Sequence, residues 1–199
     1  MGERRDSRYR IKNPRSREIV ETVIVVIAFY FIFVGALTVL FNTSSYWMGV
    51  VSNSMSHEGG PNWRTYFEDK SMRELLLTSE GLYHVLAQDL HTYDTRRFPL
   101  QDGFSKGDLI IVRGVNSVSE ISVGDVIIIE RENKIPLTHR VFAVWEEDGK
   151  IRFVTKGDHN SYLISDDLRV SPEQIIGKVV YVIPELGNLF LWFQGAWSS

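Results

Sequence analysis

Two serines, Ser52 and Ser54, stand at the end of an extended, β-prone stretch, and Met55 follows directly. A serine hydroxyl becomes an effective nucleophile only when a neighbouring base takes its proton. Among the five histidines, His139 is the favoured base because it lies within the strand pattern of residues 136–142, and strands hold side chains rigidly. A histidine titrates near pH 6.5, so its neutral form is available at pH 7. The residue types suggest serine catalysis, with an ordinary strand histidine as the alternative.

A histidine base needs a carboxylate that fixes its tautomer and stabilises the imidazolium that forms. The loop after residue 156 offers Asp158, Asp166 and Asp167. An aspartate-rich loop can equally be a solvated turn, so residue types alone leave the choice open. The histidines lack a ligand spacing such as His-Glu-x-x-His, and the chain has no cysteine. We therefore predict neither a metal centre nor a cofactor, and thiol catalysis is excluded.

Strands must position most of these groups. Residues 106–113 and 123–130 are near-duplicates in which a Gly-Asp pair opens into a β-branched run, so we interpret Asp108 and Asp125 as turn formers. A hairpin turn is predicted at 146–149. Further strands are predicted over residues 46–53, 137–145, 151–155 and 175–183. Many strands with little helix predict a mainly β, barrel-like domain.

Residues 56–104 interrupt this β pattern. They contain a Gly-Gly-Pro sequence and no strand alternation. Apolar residues between Lys70 and Leu90 follow a mostly helical spacing that Gly81 interrupts. The segment is predicted to be an inserted helical cap.

Residues 22–41 contain no charge, and as a helix they reach about 30 Å, the thickness of a bilayer's hydrocarbon core. The run exceeds the apolar region of a cleaved signal peptide, and no Ala-x-Ala-like site follows it, so a retained anchor is predicted. Residues 1–18 hold seven Lys and Arg against three acids, which places the N-terminus in the cytoplasm. The rest of the chain is acidic, which argues against nucleic-acid binding.

The predicted organisation has four parts. They are a basic cytoplasmic tail at 1–17, a transmembrane anchor at 18–42, an extracytoplasmic β domain at 43–185 and an aromatic tail at 186–199. The tail is too short to span a bilayer as a helix, so it either lies at the membrane interface or packs on the domain.

The order of the motifs resembles the type I signal peptidases, specifically the archaeal and endoplasmic-reticulum branch, which uses His where the bacterial enzymes use Lys. The resemblance covers the anchor, the Ser-x-Ser-Met box, and residues 107 to about 187. Its boxes are 52–55, 124–126 with 138–141, 155–160 and 172–179. The chain departs from the family at His57, where proline is frequent, and in the 56–104 insert, where relatives have a short link.

The resemblance implies a membrane-bound serine endopeptidase that removes signal peptides from secreted preproteins at the outer membrane face, without a cofactor. Ser54 would be the nucleophile and His139 the base, and the Ser52 hydroxyl with the Ser54 N–H would hold the oxyanion. Asp166 is the first choice for the third catalytic group and Asp167 the close alternative.

The remaining implied roles concern the loop, the substrate and the partners. Asp158 would order the loop, and the substrate would add as an extended strand beside residues 50–55 and 136–138. The predicted substrate contacts are Val50, Val51, Asn53, Met55, Pro136, Leu137 and Thr138. The implied partners are preproteins with small residues at the first and third positions before the cut, the lipid bilayer, and candidate components of the secretion machinery.

Other interpretations remain open from the sequence. One is a membrane-tethered peptidase of the same fold that cleaves itself or a single partner. Another is a membrane-anchored β subunit that binds without catalysis. Within the peptidase interpretation, a reaction requiring pH near 10 would point to Lys134 or Lys156 as the base.

Overall fold

The computed structural model describes residues 14–89, 91–189 and 192, and the chain divides into two compact units between Leu40 and Phe41. The first unit is helical. Helix α1 (Pro14–Phe41) has a stretch of mean hydropathy 2.9 and no buried residue, and it is the one helix of the described residues long and apolar enough to cross a membrane. Asn42 follows with φ of 53°, a left-handed conformation typical of helix ends. The predicted N-terminal apolar helix is confirmed; residues 1–13 of the predicted tail lie outside the described part.

The second unit is built on one antiparallel sheet of six strands in the order β1-β2-β6-β3-β4-β5. The strands are β1 (Trp47–Gly49), β2 (Leu109–Arg113), β3 (Val126–Ile129), β4 (Leu137–Glu147), β5 (Lys150–Lys156) and β6 (Ile175–Ile183). The predicted mainly β fold class is confirmed. Only β1 is much shorter than expected, because the chain leaves the sheet after Val50, whose N–H still bonds the Asp108 carbonyl at 2.9 Å.

Short turns fix the ends of these strands. Asp108 accepts a hydrogen bond from the Ser105 N–H and Asp125 one from the Ser122 N–H, both at 2.8 Å, which is the turn-forming role expected of them. In the β4–β5 hairpin, residues 148 and 149 both have positive φ, 51° and 73°. This backbone matches the twist of the flanking strands and explains why an Asp-Gly pair stands there.

The described residues of the insert form three α-helices, α2 (Thr65–Glu68), α3 (Lys70–Ser79) and α4 (Tyr83–Gln88), and a 3₁₀ turn at Thr95–Arg97. The Asp69 side chain caps α3 by accepting from the Ser71 N–H at 2.8 Å. Gly81, with φ of 71°, separates α3 from α4 at the predicted interruption, while Leu90 lies outside the described residues.

The insert packs on the sheet through a shared core. Its members are Trp63, Tyr66, Phe67, Leu76, Leu77, Leu82, Val85, Phe98, Phe142, Ala143, Trp145, Val154 and Leu163. Arg73 lies in the same region, donates to the Phe142 carbonyl at 2.8 Å and pairs with buried Asp89 at 3.0 Å. The cap and the β4–β5 hairpin are therefore packed as one body.

Candidate active site

The serine-bearing turn follows β1. Ser56 N–H donates to the Asn53 carbonyl at 3.0 Å, which closes the turn, and Met55 is 1% exposed in the core beneath it. The hydroxyl of Ser54 lies 3.2 Å from that of Ser52. Because Met55 anchors the turn while Ser52 stays exposed, the two hydroxyls are held at the surface by a buried neighbour.

His139 is delivered by β4 and forms a buried pair with Asp167. Its Nδ1 lies 2.6 Å from Asp167 Oδ1, and both side chains are almost fully buried. The carboxylate also accepts from Thr155 Oγ1 at 2.5 Å and from the Ile164 N–H at 3.1 Å. When Nδ1 donates to this carboxylate, the lone pair of the ring stands on Nε2, the arrangement that a general base requires. Nε2 is buried and has no hydrogen-bond partner within the described residues.

A cavity of about 320 Å³ connects the serines with this histidine, and Ser52, Ser54 and His139 all line it. Gly157 lies close to both residues: a Cβ added there would stand 2.9 Å from His139 Nε2 and 2.8 Å from the Ser54 carbonyl oxygen. A side chain at 157 would therefore occupy the space between the two groups. Residues 85 positions apart along the chain meet at one cavity because β1 and β4 bring them there.

Asp158 lies on the loop but faces a different partner set. It is buried, accepts from the Arg140 guanidinium at 2.8 Å and lies 2.9 Å from His57 Nε2. Burial acts to raise the pKa of Asp158, but the hydrogen bond with His57 and the charge of Arg140 outweigh it and hold the pKa below its ordinary value. The next residue, His159, donates its backbone N–H to the Ser54 carbonyl at 2.9 Å. Asp158 thus holds the loop that contacts the serine turn.

Asp166 is not brought to His139. Its carboxylate binds Arg131 at 2.9 Å and Lys134 at 3.2 Å, and these hydrogen bonds lower its pKa. Asp166 and Asp167 both belong to a 3₁₀ turn, Ser165–Asp167, in which successive side chains point about 120° apart. The turn therefore directs only one of the two carboxylates inward, and the sequence preference for Asp166 does not match the geometry.

The predicted substrate contacts divide into two groups. Those that line the cavity are Val50, Val51, Pro136, Leu137 and Thr138. Asn53 and Met55 do not line it: the Asn53 amide oxygen accepts from the Lys106 N–H at 2.8 Å, and Met55 is packed in the core. Further lining residues that the sequence did not indicate are Met48, Gly49, Phe104, Arg131, Ile135, Asn160 and Ile164.

The sequence did not indicate several residues that lie near the candidate site. Trp63 of the insert stacks on the ring of His57, with the ring centroids 5.1 Å apart, and the Arg140 guanidinium carbon lies 4.5 Å from the centroid of the Trp63 ring. The sequence signals for Arg140 were its position beside His139 in a strand and its place in the 138–141 motif, and neither indicates its partners. In the described residues no group of three or more His, Cys, Asp or Glu side chains could hold a metal ion.

Curated relatives of this chain are signal peptidases. It is 33% identical over 95 residues to the signal peptidase complex catalytic subunit SEC11 of Colletotrichum graminicola, a match that covers 44% of this chain and 55% of that protein. The SEC11 subunit of Pyricularia oryzae is 31% identical with the same coverage. Signal peptidase I W of Bacillus subtilis is 32% identical over 76 residues, 38% of this chain and 39% of that protein.

The chain thus spans about half the length of the fungal relatives it matches. No protein-family model matches the sequence. The resemblance inferred from the motif order is confirmed by these relatives.

Proposed function

From this similarity to the type I signal peptidases, we propose that the protein is a membrane-anchored serine endopeptidase that removes signal peptides from secreted preproteins. Ser54 is the nucleophile, His139 the general base and Asp167 the carboxylate behind it. Asp158 keeps the loop-ordering role expected of it, and Asp166 is not a catalytic group in this assignment.

One observation carries the proposal: in the part of the chain that the structure describes, the buried His139–Asp167 pair has an Nε2 without a hydrogen-bond partner, and His139 lines the same cavity as Ser52 and Ser54. An unpaired buried nitrogen is costly, so such groups call for an explanation. A serine proton or a leaving amine, either of which would engage Nε2 during the reaction, supplies that explanation.

The reaction proceeds in two halves. Ser54 Oγ attacks the carbonyl at the cleavage site while His139 Nε2 takes its proton, and His139 then protonates the departing amine, which is the new N-terminus of the mature protein. Water next attacks the acyl-enzyme and gives its proton to His139, which returns it to Ser54 Oγ as the signal peptide leaves with a free carboxylate. Asp167 remains ionised throughout and stabilises the imidazolium, held by Thr155 and the Ile164 N–H.

The oxyanion is held by the Ser52 hydroxyl and the Ser54 backbone N–H. The 3.2 Å separation of the two hydroxyl oxygens keeps Ser52 within reach of an oxygen that forms on the carbonyl attacked by Ser54. One such donor contributes about 10²–10³ in rate. Replacement of Ser52 should therefore lower kcat more than it raises KM.

The substrate lies extended along the cavity and adds a strand between residues 50–52 and 136–138. In this geometry alternate side chains point toward the apolar lining, which includes Val50, Phe104 and Leu137. A cavity of about 320 Å³, part of which the substrate backbone must occupy, favours small side chains at the first and third positions before the cut.

The membrane arrangement follows from the charge pattern of the sequence. We propose that α1 spans the membrane with the basic N-terminus in the cytoplasm and the β domain outside. Protease added to the outside of sealed, right-side-out vesicles should degrade the β domain and spare an epitope tag at the N-terminus. Protection of the β domain in these vesicles would contradict the orientation and leave the chemistry untouched.

The deciding experiment incubates detergent-purified protein with a secretory precursor and sequences the new N-terminus. Wild type should cut after a small-x-small motif, and Ser54→Ala and His139→Ala should not. Ser161→Ala and His91→Ala, which alter exposed residues, are the matched controls and should cut normally. A precursor left intact by wild type would contradict the proposal and favour a non-catalytic β subunit. A precursor cut equally by Ser54→Ala would contradict the assignment of Ser54 as the nucleophile.

A further inference from the structure

Lys156, the last residue of β5, is a buried lysine that the proposed mechanism does not use. It is 1% exposed, and its Nζ donates to the Gly157 carbonyl at 3.0 Å and to the Asn160 carbonyl at 2.5 Å. The Tyr66 ring lies beneath the ammonium, 4.0 Å from Nζ to the ring centroid. Three groups of negative potential therefore surround the three N–H bonds of the ammonium.

The backbone that Lys156 holds contacts both proposed reacting residues. Residues 157–160 form a tight turn closed by the Asn160 N–H on the Gly157 carbonyl at 3.0 Å. Gly157 packs against His139 Nε2, and the His159 N–H bonds the Ser54 carbonyl at 2.9 Å. Displacement of this turn by a fraction of an ångström would move the serine relative to the histidine.

We propose that the Lys156 ammonium is a positioning group for the Ser54–His139 pair, and that its deprotonation loosens the 157–160 turn and lowers the rate in alkaline solution. The inference rests on the proposed function and deepens it by adding a second titrating group that limits the reaction. Lys156 touches no substrate and acts only through the turn.

Burial is the main reason why the pKa of Lys156 is lowered to about 8. The negative charges of Asp158 and Asp167 act in the opposite direction, and the positive charge of Arg140, its register partner on β4, adds to the lowering. A neutral amine has two donors and a lone pair, so one of its three neighbours would face that lone pair. Deprotonation therefore converts one attractive contact into a repulsive one.

The expected pH–rate profile is bell-shaped, with an acid limb from the histidine base and an alkaline limb from Lys156. If the rate follows the protonated fraction, a group that titrates at about pH 8 lowers kcat about tenfold between pH 7 and pH 9. KM should change little, because the 157–160 turn positions the reacting groups rather than the bulk of the substrate strand.

The test measures kcat and KM for cleavage of one precursor from pH 5 to pH 10 in the full-length protein. Lys156→Arg keeps the charge at every pH used, so its alkaline limb should disappear while its rate at pH 7 stays near that of wild type. Lys156→Met should be slow at pH 7 and flat above it. Lys150→Arg, an exposed site at the other end of β5, should retain the wild-type limb.

Each outcome decides the inference. A wild-type rate that is flat from pH 7 to pH 9.5 overturns it without any variant, and so does a folded Lys156→Arg protein that keeps the wild-type limb. Thermal unfolding establishes which variants are folded. If Lys156 were the base, the rate would instead rise through pH 8 and Lys156→Arg would be inactive, which also overturns the positioning role.

Failure of the proposed function gives a different pattern. In that case Ser54→Ala and His139→Ala leave precursor cleavage unchanged. When those two variants abolish cleavage but Lys156→Arg follows wild type at every pH, only the positioning role of Lys156 fails.

Discussion

The chain contains three Gly-Asp pairs, and the side chains of their aspartates have different kinds of hydrogen-bond partners. Asp108 and Asp125 each bond an N–H three residues earlier in the chain, and each also binds one distant group, the Glu185 N–H for Asp108 and the Lys178 ammonium for Asp125. The side chain of Asp158 has only distant partners among the described residues: Arg140, 18 residues away, and His57, 101 residues away. The first two shape a turn, whereas the third joins the serine turn, β4 and the loop beside the His139–Asp167 pair.

The comparison shows that a local motif fixes the backbone conformation but not the role of the aspartate side chain. Around Asp108 and Asp125 the sequence within a few residues explains the turn that each aspartate forms, although Glu185 and Lys178 also bond their carboxylates. Around Asp158 and Asp167 the explanation lies on other strands. Variants of the two kinds of aspartate should therefore differ in what they damage as well as in how much.

The largest difference is expected between neighbouring loop aspartates. Asp167→Asn should lower kcat/KM about 10⁴-fold, the loss typical of removing the carboxylate behind a histidine base. Asp166→Asn, its matched control one residue away, should stay within a few-fold of wild type because Asp166 binds Arg131 and Lys134. Steady-state kinetics on a precursor peptide measures both. The opposite order would return the third catalytic role to Asp166.

The next effect is on stability. Asp158→Ala leaves the buried Arg140 charge without its carboxylate and should lower the free energy of unfolding by about 3–5 kcal/mol. Urea unfolding of the detergent-solubilised protein measures this loss. Replacing both partners together, as Arg140→Met with Asp158→Leu, should recover part of it, because no unpaired charge remains. A loss under 1 kcal/mol would remove Asp158 from the structural role given to it.

Replacing a turn aspartate should lower the stability less and should leave precursor cleavage unchanged. Asp108→Ala removes the acceptor for the Ser105 and Glu185 N–H groups, at 2.8 and 2.9 Å, and should lower the free energy of unfolding by about 1–2 kcal/mol. Precursor cleavage at pH 7 should remain as in wild type. A large fall in kcat with a small loss of stability would break the division between turn and loop aspartates.

The smallest effect concerns Asp166 and pH. The ion pairs hold its pKa below that of the unfolded chain, so their stabilisation is present above about pH 4 and is lost as the pH falls through the lowered pKa. A partly exposed pair contributes under about 1 kcal/mol. Wild type should exceed Asp166→Asn slightly in urea midpoint at pH 6 and match it at pH 2. A difference in urea midpoint that persists at pH 2 would show that packing, and not the ion pairs, causes it.

The same contrast explains which features could be predicted from the sequence. The strands and their turns were predictable because Gly-Asp pairs and β-branched runs act within a few residues, and the predicted ranges for β2 to β6 correspond closely to those observed. The serine and histidine were predictable from residue type and motif order. Both classes of feature depend on short stretches of chain.

Features that depend on distant pairing could not be predicted. Asp166 and Asp167 are adjacent and chemically identical, and only the phase of the 3₁₀ turn distinguishes them. His57 stands out in the sequence only as a departure from the family motif, yet its ring bonds Asp158 and stacks on Trp63. Asn53 and Met55 belong to the serine motif but serve the turn rather than the cavity.

The two ends of the insert meet directly after Ser54, the proposed nucleophile. Ser56 forms an isolated bridge with Gly103, and the Phe104 N–H bonds the Met55 carbonyl at 3.1 Å. An engineer could therefore excise the intervening residues and rejoin the chain without stretching it. The excision would nevertheless expose an apolar face of the β4–β5 hairpin, including Phe142 and Trp145, to water. This exposure would lower the free energy of unfolding by about 1.5–3 kcal/mol for each large side chain. A minimal version of this protein thus requires polar replacements on that face as well as a shorter chain.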